Sequence, residues 1–406
     1  MKMNDFIQKI DSIGGIAYYV GGCVRDSIMN ISPKDIDIVV CGITTSQFMD
    51  MFPYAKQTGK SFPVYRIHID GNEIEVAFAR KEKKVAVGHS GFDMDFSPTI
   101  TIEEDLLRRD ITINAIAQNI QTNEIIDPYN GISDIQNGII RHTSFHFVED
   151  SVRVLRVARF AARYGFTVSD NTISLMCSCK EELAKEPKER IVGEMKSALS
   201  TRKPSIFFDI LKKCDCLFVT FPEIYALIGK TQPLQYHPEG DAYNHSMIVL
   251  DKVSDMTDDI TIRFAALYHD IGKGLTPMED LPKHYGHDFK GSKLIKNLPQ
   301  QYDNRMKEIA SFVAKNHMRI HTMKNATKIV WLLRDMKRKH ITVDMVTPIL
   351  IADHDNVPSW FNDTVVKYVF KKVKMTDDIT NRGVEYIQQY VQNVYVQRYK
   401  EIMREV

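Results

Sequence analysis

Two acidic residues stand two positions apart in an apolar run. The stretch KDIDIVV, residues 34–40, places Asp35 and Asp37 among β-branched residues that predict a strand. Side chains alternate across a strand, so both carboxylates should share one face. Such a pair is either solvated at a strand end or held by a cation, and carboxylate oxygens suit Mg²⁺. The pair alone leaves both interpretations open.

A glycine pair comes shortly before these carboxylates. In YYVGGCVRDSIMN, residues 18–30, a predicted strand runs into Gly21 and Gly22, and a helix begins near Cys23. Glycines let backbone N–H groups approach a ligand, a helix start favours anions, and Arg25 adds a full positive charge. The alternative is an ordinary tight turn. Followed at once by the paired aspartates, however, the glycines indicate metal-assisted phosphoryl-type transfer. Glu75 is the candidate for a third carboxylate.

Further polar side chains follow in DLLRRDITINAIAQN, residues 105–119. If this stretch is helical, Asp110 and Asn114 share a face and can bind ribose hydroxyls while Arg109 meets a phosphate. A capped helix with flanking charges explains the same residues equally well.

Four arginines are spaced three, three and four apart in FVEDSVRVLRVARFAARYGF, residues 147–166. On a helix they form one cationic stripe on an otherwise apolar surface, and buried arginines need anions, which favours phosphates. At the start of the stripe, the Asp150 side chain offers only hydrogen-bond acceptors and the Arg153 side chain only donors. Such a pair can select cytosine and adenine without a template. The stripe consists of Arg153, Arg156, Arg159 and Arg163.

The elements that must position these residues divide the chain in two. Strand-like and helix-like stretches alternate over residues 1–140, helical patterns cover 147–215, and a second helical, His-rich segment spans about 240–355. The predicted strands are 16–20, 35–40, 64–70 and 74–79.

Composition narrows the class of protein but names no partner. The chain has 406 residues, 53 Lys+Arg and 52 Asp+Glu, so a nucleic-acid surface would have to be a local patch. Its six cysteines fit neither a zinc ribbon nor a disulfide framework, which favours a reducing cytoplasm. We expect no signal peptide and no membrane span.

The quoted motifs, together with DPYNGISDIQ at 127–136, resemble in order and spacing those of the class II tRNA nucleotidyltransferases. The resemblance implies an α+β chain with a polymerase-β-like head, a mixed sheet with helices, followed by a helical neck and body. It implies addition of CCA to tRNA 3′ ends from CTP and ATP. Asp35 and Asp37 match its catalytic Mg²⁺ ligands, and Asp150 and Arg153 match its base-reading pair. The other matching nucleotide-binding residues are Gly22, Arg25, Arg109, Arg156 and Arg159.

The second segment is rich in histidine and aspartate. An adjacent His-Asp at the end of an apolar helix is hard to explain as core, and imidazole with carboxylate suits divalent metals. The set resembles the HD phosphohydrolase superfamily, whose ligand order matches His245, His269, Asp270 and Asp353. In that superfamily the last Asp usually sits in an Ala-Asp pair followed by a small residue and Arg, whereas ADHDN, residues 352–356, offers two aspartates and no Arg. The other residues of this set are His284, His287, His317, His321 and Asp355.

The HD resemblance implies an all-α domain with 2′,3′-cyclic phosphodiesterase, 2′-nucleotidase and phosphatase activities that depend on Mg²⁺, Mn²⁺ or Ni²⁺. The predicted divisions are a head at 1–140, a neck and body at 141–225, an HD domain at 240–355 and a tail at 356–406. A monomer and a homodimer both fit the sequence. A bacterial-type poly(A) polymerase and a non-catalytic RNA-binding relative are the alternatives.

Four tyrosines recur at helical spacing in the tail, next to basic residues. They could stack on RNA, but aromatic residues at this spacing more often pack into a core. They are Tyr386, Tyr390, Tyr395 and Tyr399.

Overall fold

A computed structural model describes residues 1–33, 35–58, 63–84, 92–235 and 237–404. The chain divides into two compact units. The first comprises residues 1–198 and 206–220, and the second comprises residues 199–205 and 221–406.

A seven-stranded mixed sheet forms the centre of the first unit. Its order is β3-β4-β5-β2-β1-β8-β9, and β2 runs parallel to β5 while its other neighbour, β1, is antiparallel. Two small two-stranded sheets pair β6 with β7 and β10 with β11. The strands are β1 Ile16–Val20, β2 Asp37–Cys41, β3 Lys56–Thr58, β4 Val64–Ile69, β5 Asn72–Phe78, β6 Lys81–Lys84, β7 Phe92–Asp95, β8 Ala117–Asn119, β9 Ile125–Ile126, β10 Ile139–Ile140 and β11 Thr167–Val168.

Helices pack against both faces of this sheet and continue the unit beyond it. Phe6, Phe48 and Phe52 pack against the inward side chains of the central strands, such as Ile38 and Val76, in one buried cluster. The helices are α1 Met3–Ser12, α2 Gly22–Ile28, α3 Thr45–Met51, α4 Ile102–Leu107, α5 Gly131–Asn137, α6 Arg153–Tyr164, α7 Asp170–Ser178, α8 Lys180–Leu183, α9 Lys188–Leu199, α10 Ser205–Lys213 and α11 Leu217–Thr220.

The regular elements described in the second unit are helical. Asp241, Asp259 and Asp303 cap the N-termini of three of its helices through side-chain oxygens. Helix α14 is buried along nearly its whole length and delivers His269 at its C-terminal end. The helices are α12 Pro222–Tyr225, α13 Ala242–Met256, α14 Ile260–Tyr268, α15 His287–Lys296, α16 Asn304–Thr322, α17 Ala326–Arg338, α18 Val343–His354, α19 Asp363–Val369, α20 Asp377–Thr380 and α21 Val384–Ile402.

The α+β class and the helical second unit agree with the prediction from the sequence. Two local predictions were wrong. Strand β2 begins at Asp37, so Asp35 lies in a bend before it. The stretch 105–119 is not one helix, because α4 ends at Leu107 and a 3₁₀ turn and β8 follow; the β-branched run from Ile111 to Ile113 disfavours an α-helix. Among the described residues, no helix is both long and apolar enough to cross a membrane.

Candidate active sites

The glycine turn of the first unit lies directly against an arginine. Gly21 links β1 to α2 with φ of +67°, a conformation that costs little only for glycine. A Cβ placed on Gly21 would lie 2.7 Å from Nη1 of Arg109, whereas one on Gly22 would meet Arg25 only at 3.5 Å. The absence of a side chain at Gly21 therefore makes room for Arg109.

The paired carboxylates lie at the edge of the same space. Asp35 and Asp37 are exposed and line one cavity with Gly21. The surrounding protein still withdraws Asp37 partly from water, which raises its pKa; Arg109 opposes this shift, and Glu75 and Asp35 add to it. Mutual repulsion of this kind is what a bound divalent cation relieves.

Glu75 is adjacent to this pair but has another partner. It lies in register with Asp37 on the parallel neighbour β5. Its carboxylate is 3.0 Å from Nη2 of Arg66, an exposed residue on β4, and it does not line the cavity. The structure thus brings Asp35 and Asp37 together and leaves Glu75 beside them.

A buried polar network joins three segments behind the carboxylates. Arg25 donates to the amide oxygen of Asn114 and, at 2.9 and 2.7 Å, to Asp26. The Asn114 amide nitrogen donates to Asp110 at 3.1 Å, and Arg156 donates to the other Asp110 oxygen at 2.7 Å. Asp110 and Asn114 are therefore close together as predicted, but they bind protein groups in this structure.

This network determines the ionisation of Asp110. Burial alone would raise its pKa, but Arg156, Asn114 and Arg153 outweigh burial and lower the pKa to about 2. The same pairing raises the pKa of Arg156. Both groups stay charged at neutral pH, so Asp110 fixes the position of Arg156 at the cavity wall.

The arginine stripe of α6 was predicted to face phosphates alone, and this prediction was incomplete. Three of these arginines pair with carboxylates from other segments. Arg156 pairs with Asp110. Arg159 lies 2.5 Å from a Glu194 oxygen, and Arg163 lies 3.8 Å from an Asp26 oxygen. The first residue of the stripe, Arg153, donates to the His146 carbonyl at 2.7 Å. The anions that accompany these arginines come partly from the protein.

Helix α9 supplies residues that the sequence did not reveal. Arg190 donates to both carboxylate oxygens of Asp150 at 3.2 Å and to Glu186 at 2.8 Å. Glu194 on the same helix binds Arg159. The only sequence signal was the spacing of Glu186, Arg190 and Glu194 at four-residue intervals, which is common on solvated helices.

Most of these side chains, but not Glu75 or Glu186, line one cavity of about 1,060 Å³. Aromatic surface is present as well, because Phe160 has the Arg159 guanidinium 4.4 Å from its ring centre. Nine arginines and six carboxylates line the cavity. This excess of positive charge suits a ligand with several negative charges that binds together with a metal cation. The arginines are Arg25, Arg80, Arg108, Arg109, Arg153, Arg156, Arg159, Arg163 and Arg190, and the carboxylates are Asp26, Asp35, Asp37, Asp110, Asp150 and Glu194.

In the second unit, histidines and aspartates from five segments meet in two adjoining groups. One group is His245, His269 and Asp353, and the other is Asp270, His287 and His317. Within each group the potential ligand atoms lie within 4.8 Å of one another. The two groups adjoin, since Nε2 of His269 is 3.3 Å from an Asp270 oxygen.

The distances within each group are short. Nε2 of His245 lies 3.2 Å from Nε2 of His269 and 3.0 Å from an Asp353 oxygen. The Nε2 atoms of His287 and His317 lie 3.3 and 3.4 Å from one Asp270 oxygen. Four imidazoles thus present the same nitrogen to two buried carboxylates.

The other ring nitrogen of each histidine is anchored. Nδ1 of His269 lies 2.7 Å from the Ala266 carbonyl, and Nδ1 of His245 lies 2.6 Å from Glu239. The same atoms of His287 and His317 lie near the carbonyls of His284 and Val313. An acceptor at Nδ1 leaves Nε2 unprotonated for a metal, which is the usual outer-shell arrangement of metal-binding histidines.

Unsatisfied buried atoms support a metal at these groups. An Asp270 oxygen, an Asp353 oxygen and Nε2 of His287 have no hydrogen-bond partner among the described residues. Burial opposes ionisation of both carboxylates. The adjacent Lys273 and His269 nevertheless lower the pKa of Asp270 below its usual range, and the His245 ring, 3.0 Å away, does the same for Asp353. Imidazole and carboxylate donors fit a divalent transition metal or Mg²⁺.

The structure places the four predicted HD-type residues together: His245, His269, Asp270 and Asp353. Asp355 follows the end of α18 and is exposed next to Lys252. The sequence named His287 and His317 in the cluster but did not assign them as ligands, and the remaining two histidines lie outside both groups. His284 contacts Thr276 and the Thr231 carbonyl, and the His321 ring packs edge to face with that of His354.

Three protein-family models match the chain. They are the Poly A polymerase head domain over residues 17–141, the probable RNA and SrmB-binding site of polymerase A over 165–227, and the HD domain over 242–344.

Known relatives agree with these matches. The multifunctional CCA protein of Shewanella denitrificans is 46% identical over 311 residues, which cover 75% of this chain and 74% of that protein. A solved CCA-adding enzyme in an apo form covers 99% of this chain and 95% of its own, with a TM-score of 0.67 and 18% identity. A tRNA nucleotidyltransferase complexed with a primer tRNA and an incoming ATP analogue has a TM-score of 0.57 and 22% identity, covering 86% and 94% of the two chains. The two solved structures share the fold of this chain at 18% and 22% sequence identity. The 46% identity to the curated relative is high enough to show a common family. This chain therefore belongs to the multifunctional CCA protein family of tRNA nucleotidyltransferases that carry an HD domain.

Proposed function

We propose that the first unit adds C, C and A to tRNA 3′ ends from CTP and ATP without a template. The observation that carries this proposal is a single cavity that holds Asp35 and Asp37 opposite nine arginines. Residues 1–140 would act as the catalytic head, and residues 141–225 would act as the neck and body that complete the nucleotide site.

In this reaction the tRNA 3′ hydroxyl attacks the α-phosphorus of the nucleotide. A new oxygen–phosphorus bond forms, the bond to pyrophosphate breaks, and the hydroxyl proton passes to solvent. A Mg²⁺ ion held by Asp35 and Asp37 would polarise the phosphate and favour the ionised hydroxyl. Arg109, next to the glycine turn, and Arg156, fixed by Asp110, would orient the triphosphate and neutralise the charge that develops on pyrophosphate.

Selection of the base would fall to Asp150 and Arg153. Both line the cavity, and among the described contacts their side chains bind other groups and not each other. Asp150 would accept from the exocyclic amino group of cytosine or adenine, and Arg153 would donate to the neighbouring ring nitrogen. Uracil and guanine present the reverse pattern and would leave both protein groups unpaired.

The test offers purified protein two tRNAs, one ending before CCA and one ending in CC, each with Mg²⁺ and a single labelled nucleotide. The proposal predicts two C residues from CTP on the first tRNA and one A from ATP on the second. Asp37→Asn should abolish both additions, while Asp50→Asn, at an exposed position on α3, should leave them unchanged. Unlimited addition from ATP would instead indicate a poly(A) polymerase, and no addition to either tRNA would contradict the proposal.

We infer that the second unit, through residues 240–355, hydrolyses phosphoesters with divalent metal ions. His245, His269 and Asp353 would hold one ion, and Asp270, His287 and His317 would hold a second, so the centre extends beyond the four residues predicted from the sequence. Metal bound there would supply an activated water nucleophile and a Lewis acid for the phosphate. Residues 356–406 would form the tail.

Metal content tests this assignment directly. After loading with Mn²⁺ or Ni²⁺ and gel filtration, His287→Ala and His317→Ala should retain one ion fewer than the unmodified protein. His284→Ala is the matched control, because its side chain lies in the same segment but points to Thr276 and the Thr231 carbonyl. Unchanged metal content in both His287→Ala and His317→Ala would eliminate the second ion. Hydrolysis of 2′,3′-cyclic AMP with Mg²⁺, Mn²⁺ or Ni²⁺ then identifies the active metal.

The cytoplasm is the proposed location. All six cysteines are free thiols in the structure, and four of them are buried. Free thiols support a reducing compartment, which is also where a tRNA substrate is found.

A further inference from the structure

A cleft of about 720 Å³ opens between helices α17 and α21 of the second unit. None of the proposed metal ligands lines it. We call it the α17–α21 cleft, and the residues that matter here are Trp331, Arg334, Lys337, Phe370, Gln392 and Tyr395. Its volume lies in the range of small-molecule and cofactor sites, about 300–1,000 Å³.

Three aromatic rings line the cleft. Trp331 is 54% exposed, which is unusual for so large an apolar side chain. Phe370 and Tyr395 pack edge to face, with ring centres 4.9 Å apart. The predicted core-packing role of the tail tyrosines therefore holds for the buried Tyr399 but only partly for Tyr395, which packs and also faces the cleft.

Cations lie against these rings. The Arg334 guanidinium is 5.5 Å from the Trp331 ring centre, and the Lys337 ammonium is 5.1 Å from that of Phe370. The Arg334 side chain therefore covers part of the Trp331 ring face, and a flat ligand would stack on the exposed remainder of that ring. Aromatic residues interleaved with basic ones are the usual platform for unpaired nucleotides.

One polar group in the cleft lacks a partner. Gln392 is only 4% exposed, and its amide oxygen accepts from Arg334 at 3.3 Å. Its amide nitrogen is buried and has no acceptor among the described residues. A buried donor left unpaired is costly, so an occupant with an acceptor nitrogen or carbonyl would be favoured.

The charges of the cleft favour an anionic ligand. Arg334, Lys337 and Arg338 line it against Asp335 and Glu385. Asp335 is already bonded within its own helix, to Arg338 at 2.7 Å among others. With Arg338 paired to Asp335, Arg334 and Lys337 remain against Glu385, so positive charge is still in excess next to the aromatic surface.

We propose that the α17–α21 cleft binds an unpaired nucleotide of an RNA. The base stacks on Trp331, an acceptor on its edge receives the free N–H of Gln392, and the phosphate lies toward Lys337. The choice of RNA rests on the proposed function, because the substrate of the first unit is a tRNA. An acidic peptide would satisfy the cations but would not provide a flat acceptor-bearing ring for Trp331 and Gln392.

The chain's two tryptophans give a direct readout. Trp360 is buried at 6% exposure, so Trp360→Phe leaves Trp331 as the single tryptophan. Titration of this full-length variant with a short single-stranded RNA of mixed sequence should quench its fluorescence. In the unmodified background, Trp331→Ala should weaken RNA binding by roughly 5- to 150-fold, the value of one base stacked on an aromatic ring. Gln392→Leu should weaken it several-fold.

Two lysine variants distinguish RNA binding in the cleft from nonspecific attraction of RNA to surface charge. Lys337→Ala should lower RNA affinity and its salt dependence, whereas Lys374→Ala, at an exposed position outside the cleft, should do neither. RNA binding that is unchanged in Trp331→Ala would overturn the proposal. So would quenching by poly-glutamate but not by RNA, or equal affinity for free AMP and for RNA, since these identify a peptide or a free nucleotide as the ligand.

The two proposals fail in different ways. Nucleotide addition to tRNA without any response of Trp331 to RNA would remove only the cleft assignment. Quenching of Trp331 by RNA in a protein that adds no nucleotide would remove only the proposed function.

Discussion

Arg190 donates to both carboxylate oxygens of Asp150, with each distance at 3.2 Å. The Val152 amide also donates to Oδ1 at 3.1 Å. A carboxylate offers about four acceptor positions, two on each oxygen. These contacts use both positions on Oδ1 and one on Oδ2, so one acceptor position remains on Oδ2. Arg190 therefore orients the carboxylate and leaves it able to accept from a single amino group.

Base selection should therefore depend on Arg190 as well as on Asp150. We expect Asp150→Asn to lower kcat/KM for CTP and ATP by about 10- to 100-fold and to raise relative use of UTP, because the amide can donate where the carboxylate could not. Arg190→Ala should reduce discrimination in the same direction, and Arg190→Lys should restore part of it. Single-nucleotide incorporation with each of the four triphosphates measures the ratios. Unchanged ratios in both Asp150→Asn and Arg190→Ala would remove this pair from base selection.

The contact between Gly21 and Arg109 makes a second prediction. Gly21→Ala should reduce nucleotide addition at least tenfold, because the new methyl group would displace the Arg109 guanidinium. Gly14→Ala is the control: its φ of +83° is also unfavourable for a residue with a side chain, but no atom beyond the neighbouring residues lies within 4 Å of its Cβ. Each variant should lose about 1–3 kcal/mol of stability through backbone strain. Equal activity of the two variants would show that strain, and not displacement of Arg109, determines the effect.

The Asp110–Arg156 pair predicts a pH-dependent contribution to stability. The folded-state pKa of Asp110 is lowered to about 2, so its stabilisation is present above the unfolded value near 4 and is lost as pH falls toward 2. Relative to Asp110→Asn, the unmodified protein should gain about 2 kcal/mol at neutral pH, a Tm difference of about 4–8 °C. Thermal melts of both proteins between pH 7 and pH 2.5 check this.

The direction of that change is the test. The Tm difference should shrink below about pH 4 and stay constant between pH 5 and pH 7. A difference that grows on acidification, or one that is absent at pH 7, would contradict ionised Asp110 as the partner of Arg156.

The histidine–aspartate groups predict metal-dependent stability of the second unit. Saturating Mn²⁺ at about 100 times its Kd should stabilise the fold by about 2.7 kcal/mol, and EDTA should reverse the shift. His269→Ala removes a ligand of one of the two proposed ions, so it should lose part of the Mn²⁺-induced rise in Tm, while His68→Ala, exposed on β4, should retain all of it. A Tm that does not respond to any divalent ion would mean that the buried carboxylates and imidazoles do not form a metal site.

The sequence predicted which residues line the first cavity better than it predicted which side chains they bind. Glycine conformation, strand alternation and helical spacing are local properties, so Gly22, Asp37 and the stripe from Arg153 to Arg163 could be located in advance. Glu194 and Asp110 reach that stripe from elements 35 and 46 residues away along the chain. No periodicity encodes such a pairing, which is why the stripe looked purely cationic.

The second site shows the same limit. His269 and Asp270 are adjacent in sequence and could be recognised as a pair. His287 is the first residue of α15, and His317 lies near the C-terminal end of α16. Only the packing of these two helices against each other brings both histidines to one Asp270 oxygen. Glu239, which anchors His245, lies six residues before it and outside any helix.

The central claim is that each unit carries its own active site. The most direct measurement assays one set of preparations for both tRNA extension and hydrolysis of 2′,3′-cyclic AMP. We predict that Asp37→Asn abolishes addition of C and A while hydrolysis is unchanged, and that His269→Ala does the reverse. Loss of both activities in either variant, or of neither, would contradict the assignment of two independent sites.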